Sequence, residues 1–298
     1  MGARNFRELL AQRQKEKDTL VCVGLDPLAE KLPDIVRAAS TSTWAAVLLW
    51  MREIVDATAE FASMFKPQHA HWEAIDGGPH ALQALIAHIH LKHPEVPVFL
   101  DCKRGDIDRT QKQYGHAHFT LEGVDGMNYN GYMGRDTLKA LVDANRPGVA
   151  LVGLGRTSNP DAWEVQDQVL ADGRHFWEFM VERLHAWSRE FGVNEDAGVV
   201  MGAAHKDPSD PEKVYSWHLT RGREIYGNDM WDLIPGIGTQ KGFVEETVRG
   251  AFRGPGTIAI NSSSGIIFAS CGPDFPEAAA REAEKLRNQI RAAGGTCS

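Results

Sequence analysis

The stretch Val98-Phe-Leu-Asp-Cys-Lys-Arg-Gly-Asp-Ile-Asp-Arg-Thr110 gathers charge at the end of an apolar run. Val98, Phe99 and Leu100 have β-type side chains, and a strand alternates its side chains between two faces. Asp101 and Lys103 are therefore expected on one face. Gly105 then turns the chain, and Asp106 opens a helix that carries Thr110 one turn later. Two carboxylates and an ammonium at the C-terminal end of a strand stand where α/β folds place electrostatic and acid–base chemistry. The same pattern also fits a polar strand end closed by a surface salt bridge.

Two later segments suggest an anion site. Pro235-Gly-Ile-Gly-Thr-Gln-Lys-Gly242 and Asn261-Ser-Ser-Ser-Gly265 are rich in Gly, Ser and Thr, so backbone N–H groups and hydroxyls can surround a phosphate. A tight turn is the plain alternative for either loop. The histidine pairs His69/His71, His88/His90 and His116/His118 lack the helical HExxH spacing, and His88 and His90 fall on different helix faces. No metal is expected. Trp44, Trp50, Trp177 and Trp187 fit core or dimer packing, and Arg221 with Arg223 fits a solvated face.

Positioning these residues requires strands that end together. Strands are predicted at 20–24, 61–65, 98–103, 123–127, 149–154, 199–201, 233–234 and 258–260. Helices are predicted between them, one capped by Thr41 or Ser42 with Val47, Leu48, Met51, Ile54 and Val55 at 3–4 spacing. Others run from about Pro79 to Lys92, along Phe176, Met180, Leu184, Trp187 and Phe191, and from Asp274 to about Ala292. Eight alternating strands and helices predict a (β/α)₈ TIM barrel, with a doubly wound sheet as runner-up. Each strand then ends in polar or Gly-rich residues at one mouth: Asp26, Lys66, Asp101 with Lys103, Asn130, Ser158, Gly202, Gly236 to Gln240, and Ser262 to Gly265. No linker divides the chain, so residues 1–298 are expected to form one domain.

Composition narrows the class. The chain has 298 residues, 43% hydrophobic and 24% charged, with a formal net charge of −8. That balance suits a globular protein and argues against a nucleic-acid surface. No run of 18 apolar residues suggests a membrane span, and the N-terminal segment reads as an amphipathic helix, not a signal peptide. Cys22, Cys102, Cys271 and Cys297 are scattered, as expected for free thiols in the cytoplasm.

Asp101-Cys-Lys-Arg-Gly-Asp-Ile107, with Lys66-Pro67-Gln68 upstream and the 235–242 loop downstream, resembles the orotidine 5′-phosphate decarboxylase family. Arg156-Thr-Ser-Asn-Pro160 and Asn261-Ser-Ser263 are most similar to its longer, bacterial-type (type 2) branch, and the resemblance runs from Gly24 to Ile267. It implies cofactor-free decarboxylation of orotidine 5′-monophosphate to uridine 5′-monophosphate, the last step of de novo pyrimidine synthesis. Lys66, Asp101, Lys103 and Asp106 would form a Lys-Asp-Lys-Asp catalytic network, with Lys103 giving a proton to C6. Asp101 would face the substrate carboxylate, and Lys66 would hold Asp101 and the ribose. Asp26 would bind the ribose, Ser158 the pyrimidine amide edge, and Gln240 would bridge the phosphate and a closed lid. Asn130, Pro235 and Ser263 occupy further substrate-binding positions. Asp106, Ile107 and Thr110 would reach a partner's site, which implies a homodimer.

The sequence departs from the family at Ser264, where an Arg would grip the phosphate. Lys241 is the expected compensating cation, an expectation that fails if Lys241→Ala binds the phosphorylated substrate as well as the parent. Asn130-Gly131-Tyr132 replaces the usual Asn-Pro-Tyr. Two alternatives stay open: a metal-dependent sugar-phosphate lyase of the same barrel superfamily, and a non-catalytic nucleotide-binding paralogue. No fused transferase domain is expected.

Overall fold

Strands rich in Val, Ile and Leu, each followed by helix, close into a barrel in the computed structural model, which describes residues 4–144, 147–206, 210, 212–237 and 243–297. The strands are β1 (Val21–Leu25), β2 (Met64–Pro67), β3 (Phe99–Arg104), β4 (Gly126–Tyr129), β5 (Ala150–Arg156), β6 (Ala197–Met201), a short hairpin of β7 (His205–Lys206) and β8 (Val214–Tyr215), β9 (Trp231–Ile234) and β10 (Ile258–Ser262). Eight of them pair in parallel in the order β2-β1-β10-β9-β6-β5-β4-β3. The ends of that sheet meet through the bridges Phe65↔Val98 and Gln68↔Asp101, and Phe65 N donates to Pro97 O at 3.1 Å. This is the expected (β/α)₈ barrel.

The helices are α1 (Phe6–Lys17), α2 (Asp34–Ala38), α3 (Thr43–Thr58), α4 (His69–Glu73), α5 (Gly78–Lys92), α6 (Asp108–Gly115), α7 (Asp136–Ala144), α8 (Phe176–Glu190), α9 (Trp217–Tyr226), α10 (Val244–Ala251), α11 (Ser264–Ile267) and α12 (Phe275–Ala292). No described helix is long and apolar enough to cross a membrane.

Strand alternation builds two apolar layers. Leu151 and Val199 face the surrounding helices, while Val152 and Val200 point into the barrel with Cys22, Phe99 and Trp231. The N-terminal helix closes the barrel floor. Phe6 stacks on Trp231 at 5.1 Å and meets the edge of Phe99 at 6.0 Å, and Gln14 donates to Ile258 O at 2.7 Å. Burial of each large side chain contributes about 2–3 kcal/mol, so this plug anchors the end opposite the charged mouth.

Several local expectations shift. The second strand begins at Met64, because residues 59–61 form a 3₁₀ turn that continues α3. Ser42 and Asp274 stand at N-cap positions, yet neither side chain makes a capping bond; Asp274 instead accepts from Ser270 and Arg281. On α8 the buried stripe is Trp177, Val181, Leu184 and Ser188, rotated from the expected one by contacts with β5. Arg221 pairs with Glu178 and Glu224, but Arg223 is not solvated. It is buried, bonds the carbonyls of Ala251, Gly227, Met230 and Thr257, and pairs with Asp232 at 2.9 Å.

Candidate active site

Lys66, on β2, and Asp101, on the neighbouring β3, meet at the mouth because parallel pairing brings the two strand ends side by side. Lys66 Nζ lies 3.1 Å from Asp101 Oδ2, with the lysine side chain 3% exposed. Lys103 Nζ lies 2.5 Å from Asp101 Oδ1 and remains 44% exposed. The result is a chain of cation, anion and cation running from the protein interior to the exposed barrel mouth.

Burial by itself would lower the Lys66 pKa, but attraction to Asp101 and then Asp26 outweighs it and holds the ammonium above its ordinary range. Burial would likewise raise Asp101; Lys66 and Lys103 together pull it well below the usual carboxylate range. Lys66 and Asp101 are therefore both charged at neutral pH. The thiols beside them behave oppositely, and burial pushes Cys22 and Cys102 up to about 12.

The shared face of Asp101 and Lys103 does not come from simple alternation. Pairing with β4 slips between Leu100 and Arg104, and Lys103 adopts φ +47°, a left-handed conformation uncommon for a side-chain-bearing residue. Asn128 on β4 stabilises it. Its Oδ1 accepts from Cys102 N at 2.8 Å and Lys103 N at 2.6 Å, and its Nδ2 donates to Asp101 Oδ1 at 2.8 Å. Sequence reasoning singled out Asn130 instead, whose Oδ1 accepts from Tyr132 N at 3.0 Å and shapes its own loop.

A cavity of about 360 Å³ opens at this mouth and is lined by Asp26, Ser158, Pro235, Gly236 and Asn261 to Ser264, as expected, and also by Leu28, His71 and Phe268. Asp26 Oδ1 is buried without a hydrogen-bond partner among the described residues. Gly24 lets Ser263 cross β1, since a Cβ there would lie 1.8 Å from Ser263 Oγ. Ser158 is held by its neighbours: Arg156 bonds Asp167 through two nitrogens at 2.9 and 2.8 Å, and Gln166 bonds Thr157 twice. Gln240 and Lys241 lie outside the described residues.

No ion pair joins Asp106 to Lys66 or Lys103 among the described residues. The helix begins at Asp108, not Asp106; Asp106 Oδ1 accepts from Ile107 N at 2.7 Å. Ile107 and Thr110 are exposed at the rim.

The histidines regroup in three dimensions. His69, His118 and Glu122 converge, as do Asp56, His88 and His93, each set within 4.8 Å. In the first, Glu122 bridges His69 Nε2 at 3.1 Å and His118 Nδ1 at 2.9 Å, while Arg104 lies 3.2 Å from the other nitrogen of each ring. In the second, Asp56 Oδ1 meets both imidazoles at 2.8 Å, and Arg52 donates to His88 Nδ1 at 3.2 Å. An arginine beside each set favours hydrogen-bonded networks over cation binding. Burial opposes ionisation of Glu122, but bonds from His118 and His69 bring it down to about 2.

Residues 19–283 match the model of the "Orotidine 5'-phosphate decarboxylase / HUMPS family". The chain is 39% identical over 287 residues to the orotidine 5′-phosphate decarboxylase of Ralstonia pickettii, covering 96% of this chain and 97% of that one. Among solved structures, an OMP decarboxylase of Leishmania donovani is 28% identical with a TM-score of 0.74, covering 96% of this chain and 99% of that one. A UMP synthase of the same organism is 30% identical with a TM-score of 0.76; the match covers 97% of this chain but only 57% of that longer one.

Proposed function

The chain belongs to the orotidine 5′-phosphate decarboxylase / HUMPS family, and on that premise we propose that it converts orotidine 5′-monophosphate to uridine 5′-monophosphate and carbon dioxide. It is a carboxy-lyase of pyrimidine nucleotide synthesis. The observation that carries this reading is the Lys66–Asp101–Lys103 chain at the barrel mouth.

Breaking the bond from C6 to the carboxylate leaves an electron pair on C6. Without an electron sink, that charge must be stabilised electrostatically. Lys103 would do so, and would then deliver its proton to C6. Asp101, ionised by its two lysines, would sit against the substrate carboxylate. One such repulsion at about 4 Å and an effective dielectric near 20 is worth roughly 4 kcal/mol, or on the order of a thousandfold in rate. The remainder must come from the ammonium and from phosphate binding energy.

The Oδ1 of Asp26, without a hydrogen-bond partner among the described residues, suits a ribose hydroxyl, Ser158 the pyrimidine edge, and Pro235, Ser263 and Ser264 the phosphate end. Asp106, Ile107 and Thr110 are assigned to a partner's site in a homodimer. The exposure of Ile107, Tyr132 and Met133 at the adjoining rim supports this. Free thiols and a phosphorylated metabolite favour the cytoplasm. A metal-bound enediolate is less well served here, because both Asp101 oxygens are already engaged by Lys66, Lys103 and Asn128.

The test is incubation with orotidine 5′-monophosphate in excess chelator, following the ultraviolet change as orotate becomes uracil. Turnover should persist with chelator and fall at least about a thousandfold in Lys103→Ala. Loss of turnover on chelation would favour the metal-dependent lyase. Nucleotide binding without turnover would favour a silent paralogue.

A further inference from the structure

His71 stands in the cavity on α4, a position that sequence reasoning considered only as half of a histidine pair. We infer that its imidazolium donates a hydrogen bond from Nε2 to the phosphate of the bound nucleotide, an assignment that rests on the phosphorylated substrate proposed above. Nδ1 lies 3.1 Å from the carbonyl oxygen of Pro27. A carbonyl only accepts, so Nδ1 carries a hydrogen and the ring is oriented by the β1 loop. The Nε2 edge is then the one left to serve a ligand.

The charges in the cavity make that edge matter. Among its described lining residues, His71 is the one group able to become a cation. The other ionisable lining group is Asp26, which is coupled electrostatically to the buried Lys66. Pro235, Gly236 and the serines at 262–264 supply only neutral donors and backbone. A phosphate dianion entering such a space is poorly compensated by hydroxyls alone, whereas a charge-assisted bond from an imidazolium offsets both its charge and its desolvation.

Two substitutions separate this role from a merely structural one. His71→Asn keeps a donor where Nδ1 meets Pro27 O and removes the Nε2 edge. His71→Gln does the reverse, leaving a neutral donor near the Nε2 position. Calorimetry on the full chain would compare uridine 5′-monophosphate with uridine, which lacks the phosphate, while thermal melting monitors folding. His71→Asn should weaken the nucleotide about ten- to hundredfold, the range of a charge-assisted bond, and leave uridine affinity unchanged. His71→Gln should fall between it and the parent. The inference is overturned if His71→Asn retains the parent's preference for the nucleotide, or if only His71→Gln loses it. Should His71→Asn not fold, His71→Gln with undiminished preference would overturn it equally. A parent chain that does not prefer the nucleotide to uridine would overturn the functional reading, and this one with it.

Discussion

The side-chain oxygen of Asn128 lies 2.6 Å from the backbone nitrogen of Lys103 and holds that residue in its left-handed conformation. The same side chain donates to Asp101, so one amide fixes both the backbone that carries the proposed proton donor and the carboxylate beside it. Asn128 touches no reacting atom in this account; it is a positioning residue.

Asn128→Ala should therefore lower kcat much more than it weakens binding. Misplacing a catalytic group by about 1 Å costs on the order of a hundredfold. Two backbone N–H groups left without an acceptor should also cost about 1–3 kcal/mol of stability. Steady-state kinetics alongside urea denaturation would check both. A variant with normal kcat would show that the backbone of Lys103 holds its conformation unaided.

Gly24→Ala tests the close approach of β1 to the loop after β10. Its Cβ would fall 1.8 Å from Ser263 Oγ and 2.7 Å from Ser263 Cβ, so the serine must move. Overpacking of this kind costs about 1–3 kcal/mol. Displacement of Ser263 should also weaken uridine 5′-monophosphate several-fold. Calorimetry reads the second effect, and unchanged affinity would place Ser263 away from the ligand.

His218 sets an acid limit on stability. It is buried, lies 2.7 Å from Gly202 O through Nε2, and has its pKa pushed down to about 3, chiefly by burial. The bond to Gly202 O opposes this, Arg156 and His205 reinforce it, and Asp167 opposes it more weakly. With a folded pKa below the unfolded value of about 6.5, its contribution is present above pH 6.5 and is lost as pH falls toward 3. By pH 5 the loss is about 2 kcal/mol. His218→Gln should flatten the decline in urea midpoint between pH 7 and 5. An unaltered slope would assign that decline to other groups.

Much of the barrel is legible in the sequence, because β-rich runs ending in polar residues recur at fold-sized intervals. Boundaries move where tertiary contacts intervene. The strand expected from Phe61 starts at Met64 because residues 59–61 extend α3 as a 3₁₀ turn, and the α8 stripe rotates to face β5. Arg223 looks solvated in a charged helix, yet its length lets it reach four carbonyls and Asp232 beneath the barrel. Asn128 and Asn130 are equivalent by residue type and strand parity. Pairing of Leu100 with Met127 brings Asn128 beside Asp101, whereas Asn130 stands beyond the strand end.

From the sequence alone follow the barrel, the family resemblance and the three charged residues of the mouth, because local alternation and composition dictate strands and motif spacing identifies their polar ends. Only the tertiary structure decides which of those ends touch. It joins Lys66, Asp101 and Lys103, leaves Asp106, Ile107 and Thr110 at the rim, and brings His71 into the cavity with serines nearly two hundred residues away. The physical reason is that strand register and the close approach of loops are set by packing between distant segments, which spacing along one segment does not encode.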